Sequence, residues 1–333
     1  MLMSKAQQKS GQSRLSAAPL VGRFAPTPSG FLHLGNVFCS LLAWLYAKKS
    51  GGKIVLRIED LDPQRCSLAK ADALARELEW LGLMWDEGAY VSADSDAYFQ
   101  SRRSDIYAHY FDKLRQADLV YPCFCSRGEL HAAEAPHTSD GRIIYAGTCS
   151  RLTEAERAAK EKLRRPAWRV RVTDEPICFH DAHYGAQSLR LTEECGDFIL
   201  RRSDGVYAYQ LAVVIDDALM GVTQVVRGCD LLSSTPMQLH LYKLLGFTPP
   251  SFCHIPLLTD ADGRRLAKRD GDLEISLLRK AYGAPEPIIG LLAYLAGQLE
   301  RPEPLSAAEL LPFFDAAKIP TQNIVVPREL IHQ

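Results

Sequence analysis

Fourteen residues near the start of the chain, RFAPTPSGFLHLGN (23–36), restrict what it can fold into more than any other stretch. Leu20 and Val21 form an apolar lead-in. Two prolines, two glycines and small hydroxyl side chains then make a tight, rigid turn, and a helical pattern follows. Glycine lets a backbone approach a ligand closely, and proline fixes the loop beforehand. A helix starting near Gly35 aims its free N–H groups and the positive end of its dipole at the turn, where a phosphate would be stabilised. His33 adds a donor there. From these residues alone, a plain turn carrying a surface histidine is the alternative. The Walker pattern G-x-x-x-x-G-K-[ST] is absent from the chain, so phosphate binding has to be organised by other means.

Val37, Phe38, Leu41, Leu42 and Leu45 recur at helical spacing and stop at Gly51-Gly52. KIVLRIED (53–60) reads as a buried strand ending in two carboxylates. Ser67 then caps a second amphipathic helix carrying Leu68, Ala71, Leu74, Leu78 and Leu81. Strand, helix, strand, helix predicts a parallel α/β sheet, whose ligands sit at the carboxyl ends of its strands. Residues 119–195 change character: they are loop-rich, hold five of the nine cysteines, and open short helices with the boxes SRGE (126–129) and TEAE (153–156). The α/β pattern resumes with FILRRSDGVYAYQLAVVIDDALMGVTQVVRG (198–228), in which the apolar AVVI meets Asp216-Asp217. Thr235 with Pro236 starts a helix, and SFCHIPLLTD reads as a strand before the hairpin-like ADGRR. Five segments follow: a polar, flexible tail (1–19), a first α/β half (20–118), an insertion (119–195), a second α/β half (196–270) and a helical C-terminal region (271–333).

Composition adds limits. Net charge of −1 argues against a protein that coats nucleic acid indiscriminately, yet permits a local basic face. No apolar run approaches the roughly 18 residues of a membrane span, and the first 19 residues lack the apolar stretch of a secretory signal. An odd number of scattered cysteines suggests reduced thiols and a cytoplasmic protein.

Two constellations point to chemistry. GRRLAKRD (263–270) presents Arg264, Arg265, Lys268 and Arg269 together, either to neutralise a breaking triphosphate or as a solvated basic loop. Arg23, Glu59, Tyr209 and Arg227 each fall at the end of an expected strand. Two arginines and one acid suit a substrate with two carboxylates and one amine, with an internal Arg23–Glu59 salt bridge as the alternative.

Together these pieces carry a resemblance. RFAPTPSGFLHLGN resembles the first ATP-binding motif of class I aminoacyl-tRNA synthetases, with HLGN (33–36) in place of His-Ile-Gly-His. RLAKR (265–269) resembles their second, Lys-Met-Ser-Lys-Ser, motif. LRIEDLDPQR (56–65) and YQLAVVIDDALMGVTQVVRGCDLLSSTPMQ (209–238) are similar to the glutamyl branch, and the four blocks agree in order over roughly residues 21 to 270. The resemblance implies a Rossmann-like catalytic domain that joins L-glutamate to ATP, with Mg2+, as glutamyl-adenylate. It implies ATP binding by His33, Gly35, Asn36 and Lys268. It also implies glutamate binding by Arg23, Phe24, Ala25, Pro26 and Thr27 with Glu59, Tyr209 and Arg227, the arginines taking carboxylates and Glu59 the α-ammonium. Asn36 departs from the second motif histidine. Arg265, Ala267 and Arg269 depart from Lys, Ser and Ser.

Only 65 residues follow Lys268, fewer than a helical anticodon-reading domain of roughly 100 residues or more would take. That combination resembles a truncated paralogous branch of the family, whose members transfer glutamate to queuosine at the wobble position of tRNA(Asp) rather than to a tRNA 3′ end. The expected partners are therefore L-glutamate, ATP and queuosine-bearing tRNA(Asp), without a membrane, for a monomer. YPCFCSRGEL and GRIIYAGTCS supply Cys123, Cys125, Tyr145 and Cys149, similar to the C-x-C…Y-x-x-x-C structural zinc site of that branch. His131 or His137 is an alternative fourth ligand.

Overall fold

The structure, a computed structural model, describes residues 20–126, 128–129, 144–266 and 274–327. Strand β1 (Val21–Phe24) is buried at its last three positions and leads through the proline–glycine turn into helix α1 (Leu34–Lys49). The helix turns Val37, Phe38, Leu41, Leu42 and Leu45 into the core, as their spacing requires. It stops where Gly51 takes φ 71° and where a Cβ on Gly52 would stand 2.0 Å from the Leu20 carbonyl. The chain returns as β2 (Lys53–Leu56), parallel to β1 with Phe24 opposite Leu56. Helix α2 (Leu68–Trp80) follows, the Ser67 hydroxyl accepting from Lys70 N–H, and β3 (Glu87–Gly88) adds a third parallel strand. Helix α3 (Ser104–Gln116) closes this half.

The next stretch builds a small antiparallel sheet from β4 (Val120–Cys123), β5 (Ala167–Val170) and β8 (Ile199–Arg201). Helix α4 (Glu154–Glu161), capped by Thr153 and Glu156 as the box predicts, lies between its first two strands in sequence. Between β5 and β8 come β6 (Ile177–Asp181), β7 (Gly185–Leu189) and the short α5 (Leu191–Glu194). β6 pairs parallel with β10 (Ser251–Ile255) at Asp181 and Phe252. Strand pairing therefore does not divide at 119 and 195: β6 and β7 extend the main sheet, and β8 completes the small one from outside that interval.

Helix α6 (Tyr209–Leu219), β9 (Gln224–Gly228) and α7 (Thr235–Leu245) precede β10. The apolar AVVI run that meets Asp216-Asp217 lies inside α6 and is buried along its length. β9 pairs parallel with β10 along its length. It also lies beside β1, where Thr223 N–H donates to Val21 O (2.9 Å) and Val21 N–H to Thr223 Oγ1 (2.8 Å). After β11 (Leu258–Thr259), Asp260 and Gly263 make the expected hairpin turn. The C-terminal region carries α8 (Ile275–Tyr282), α9 (Glu286–Leu295) and α10 (Ala307–Leu310). It ends with a strand not foreseen from the sequence, β12 (Ile324–Val325), parallel to β11. No helix among the described residues is long and apolar enough to cross a membrane, and the nine cysteines form no disulfide.

Candidate active site

From β1 the chain departs to β2 on one side, while β9 and β10 lie on the other. Such a switch point opens a crevice at the carboxyl ends of parallel strands. A cavity of about 640 Å³ sits there. The Arg23 to Thr27 segment, Glu59, Tyr209 and Arg227 line it together with His33, Gly35 and Asn36. The structure thus brings eleven of the twelve expected glutamate- and ATP-site residues to one cavity; Lys268 lies outside the described residues. Arg23 and Arg227 are on strands, and Glu59 follows β2 closely. Tyr209 is not at a strand end as expected: it is the first residue of α6.

The charges do not pair as the simplest reading of Arg23 and Glu59 supposes. Arg23 Nε stands 3.3 Å from Asp217, and Glu59 accepts from Arg57 Nη2 at 3.1 Å. Arg57 is fully buried and donates to Asp217 at 2.7 Å. Its neighbour Asp216 accepts from Arg103 (2.7 Å), Gln100 (2.8 Å) and the Tyr107 hydroxyl (2.8 Å). Burial works against the Arg57 charge, but Asp217, Glu59 and Asp216 outweigh it and hold the guanidinium firmly protonated. The loop is pinned to the same strand, since Arg57 N–H donates to Phe24 O (2.9 Å) and Glu59 N–H to Pro26 O (3.0 Å).

Arg227 is the contrasting case. It is 3% exposed, yet its recorded acceptors are neutral: His254 Nε2 (3.0 Å), Gln238 Oε1 (2.8 Å), Thr235 Oγ1 (2.8 Å) and, more weakly, Leu231 O (3.4 Å). Among the described residues no carboxylate forms an ion pair with it. Burial accordingly pushes its affinity for the proton below the ordinary value. A guanidinium held this way lacks an anion, and it faces the cavity. Burial also raises the Glu59 carboxyl above its usual range, against the opposing pull of Arg57 and Arg23.

The other wall is the first turn of α1. Asn36 Oδ1 accepts from His33 N–H (3.3 Å), so this departure from the motif caps the helix while its amide lines the cavity. A Cβ on Gly35 would press on the His33 ring at 3.2 Å, tighter than most real contacts. Arg265 lines the opposite rim and is tied to Asp230, so this member of the basic cluster is not simply solvated.

A second cluster lies on the β4 side. The sulfurs of Cys123, Cys125 and Cys149 lie within 4.8 Å of one another. Cys125 Sγ is 3.5 Å from Cys149 Sγ, and the Tyr145 oxygen is 3.5 Å from Cys123 Sγ and 3.9 Å from Cys125 Sγ. Ligands around zinc, at about 2.3 Å for sulfur and about 2.0–2.2 Å for oxygen, stand about 3.5–3.8 Å apart at the corners of a tetrahedron. The three cysteine sulfurs could therefore hold a metal ion such as zinc, with the Tyr145 oxygen beside two of them. Burial alone would raise the Cys123 thiol, but the Tyr145 hydroxyl and Arg169 outweigh it and bring it below its ordinary value. His131 and His137 lie outside the described residues.

A mostly parallel sheet with a pocket at its switch point is the place where α/β domains bind their ligands. The family described as tRNA synthetases class I (E and Q), catalytic domain, matches residues 19–311, and the chain belongs to it. Within that family the chain is 49% identical to the glutamyl-Q tRNA(Asp) synthetase of Symbiobacterium thermophilum, over 94% of this chain and 97% of that protein. It is 44% identical to glutamate–tRNA ligase 2 of Alkalilimnicola ehrlichii, covering 82% of this chain but 58% of that one. In three dimensions it is similar to a glutamate tRNA ligase from Elizabethkingia meningosepticum in complex with its amino acid. That likeness has a TM-score of 0.79 at 29% identity, over 94% of this chain and 68% of the other.

Sequence reasoning missed Arg57, Asp217, Asp181 and His254. Arg57 and Asp217 stood in the quoted blocks beside residues that were singled out. Nothing local marks Asp217 as the partner of Arg23, because that contact spans 194 positions of chain.

Proposed function

We propose that the protein activates L-glutamate with ATP and transfers it to queuosine in tRNA(Asp). The observation that carries this reading is the buried Arg227, an unpaired cation facing the same cavity as a phosphate-binding helix terminus. Similarity to a glutamyl-Q tRNA(Asp) synthetase over nearly the full length of both proteins supports the choice of acceptor.

In this reading Arg227 and Arg23 take the carboxylates of glutamate, and Glu59 takes its α-ammonium. Tyr209 and the Phe24 to Thr27 backbone wall the pocket. An oxygen of the α-carboxylate attacks the α-phosphorus of ATP, the bond to the bridging oxygen breaks, and pyrophosphate leaves with its Mg2+. No side chain acts as nucleophile; catalysis is placement and charge stabilisation. His33, the Gly35 backbone, Asn36 and Lys268 hold the phosphates as charge develops. A queuosine hydroxyl then attacks the acyl carbon, AMP departs, and an ester remains. Cys123, Cys125, Tyr145 and Cys149 would hold a structural zinc, which cross-links the β4 strand to the Tyr145–Cys149 loop and supplies no step.

Radiolabelled glutamate offered with ATP and tRNA(Asp), with and without queuosine, tests the proposal. Label should enter only the queuosine-bearing tRNA and should resist removal of its 3′ terminal nucleotides. Labelling of queuosine-free tRNA would refute the assigned acceptor.

A further inference from the structure

Behind Arg227, on the side away from the cavity, two buried polar residues stand in line. His254, on β10, presents Nε2 to Arg227 Nε at 3.0 Å and Nδ1 to Asp181 Oδ2, at the end of β6, at 2.6 Å. All three side chains are excluded from water. The guanidinium N–H is always a donor. His254 Nε2 must therefore accept, which places the imidazole proton on Nδ1, directed at the Asp181 carboxylate.

We infer that Asp181 and His254 are positioning residues that set the pocket's selectivity for an acidic side chain, by fixing the histidine tautomer that presents Arg227 as a charged, unneutralised donor. This rests on the reading of Arg227 as the seat of the substrate carboxylate. A carboxylate placed directly on Arg227 would neutralise it and occupy the donors that the substrate needs. With an imidazole between them, the counter-charge stays one ring away, and Arg227 is oriented by an uncharged acceptor.

The carboxylate cannot be replaced by its amide. Asp181 Oδ1 accepts from His183 N–H (3.0 Å) and Tyr184 N–H (2.9 Å), so the oxygen of an Asn at this position is committed to the backbone. Its NH2 group then faces His254 Nδ1 and must donate to it, while the His254 backbone N–H, which now reaches both carboxylate oxygens (3.1 and 3.2 Å), keeps only Oδ1. The ring proton is driven to Nε2, against Arg227 Nε–H, and two donors oppose each other. The same inversion follows when the acid behind a catalytic histidine is amidated. Thr235 Oγ1, 3.2 Å from Nε2, would gain a donor while Arg227 Nε–H loses its acceptor.

The test has two independent readings. Imidazole 15N–1H correlation spectra of the wild-type protein, with the His254 signal assigned by its loss in His254→Gln, should show the proton on Nδ1. Asp181→Asn should move it to Nε2. A wild-type proton on Nε2, or an unmoved proton in a folded Asp181→Asn, overturns the inference whatever the substrate is. In glutamate-dependent ATP–pyrophosphate exchange, Asp181→Asn should raise KM for glutamate about tenfold to a hundredfold, the loss of a charged hydrogen bond. The value of kcat should stay within about threefold, and preference over glutamine should fall by a similar factor to the KM change. Adding His254→Gln, whose amide oxygen can accept from Arg227 and has no tautomer to invert, should restore most of the KM. An unchanged KM in Asp181→Asn, or loss of kcat alone without rescue, reduces the dyad to a structural role. Absence of glutamate-dependent exchange in the wild type would instead remove the substrate assignment and leave the tautomer result standing.

Discussion

Arg227→Gln separates a substrate-binding arginine from a structural one, because the two roles predict opposite changes in stability. A charged hydrogen bond contributes about 1.5–3 kcal/mol, and the second Nη1–H together with the Nη2–H that Leu231 O holds only weakly (3.4 Å) can give a carboxylate two. At about 1.36 kcal/mol per decade, kcat/KM for glutamate should therefore fall by about 10²–10⁴-fold. Stability should not fall in parallel. The guanidinium is 3% exposed and rests on a histidine, a glutamine and a threonine without a counter-ion among the described residues. Folding has therefore desolvated a charge without pairing it, and a neutral side chain relieves that cost. Glutamate-dependent exchange and urea unfolding of the same preparations give both numbers. The expected result is a crippled enzyme with an unchanged or higher unfolding free energy. A loss of about 3 kcal/mol or more, as when a buried ion pair is broken, would refute the reasoning. So would a fall of less than tenfold in kcat/KM.

Arg57→Met should do the reverse of Arg227→Gln in stability. It strands the Asp217 and Glu59 carboxylates and should cost about 3–5 kcal/mol in urea unfolding. For pH, Glu59 must be ionised to take an ammonium, and its folded-state affinity for protons is raised. Protonation therefore begins above the ordinary carboxylate value as pH falls. An acid limb of kcat/KM for glutamate should appear above that value, and Glu59→Gln should show low activity without that limb. Metal analysis of the purified protein should find one zinc. Its removal by chelation, or Cys125→Ser, should lower the melting temperature while glutamate activation in the remaining folded protein persists.

Residues whose role is set by their immediate neighbours were readable in the sequence. The turn at Pro26, Pro28 and Gly30 and the caps at Ser67 and Thr153 depend on a few adjacent positions, and each forms as written. The motif resemblance likewise drew Arg23, Glu59, Tyr209 and Arg227 into one pocket. Partners were not readable. That Arg23 answers to Asp217 follows from how β1 and α6 are stacked, which no local pattern encodes, whereas Arg57 and Glu59 are near neighbours in sequence. β12 is two residues long, too short to announce a period.

Asp216 and Asp217 are adjacent on α6 yet serve different neighbours: one holds Arg103, Gln100 and Tyr107, the other Arg57 and Arg23. The cavity is thereby tied to helix α3 through a continuous run of polar contacts. Its arginines are aligned before any ligand arrives, so little of the binding energy is spent in arresting them. Changes at Tyr107, which does not line the cavity, should be felt there as looser grip on the amino acid.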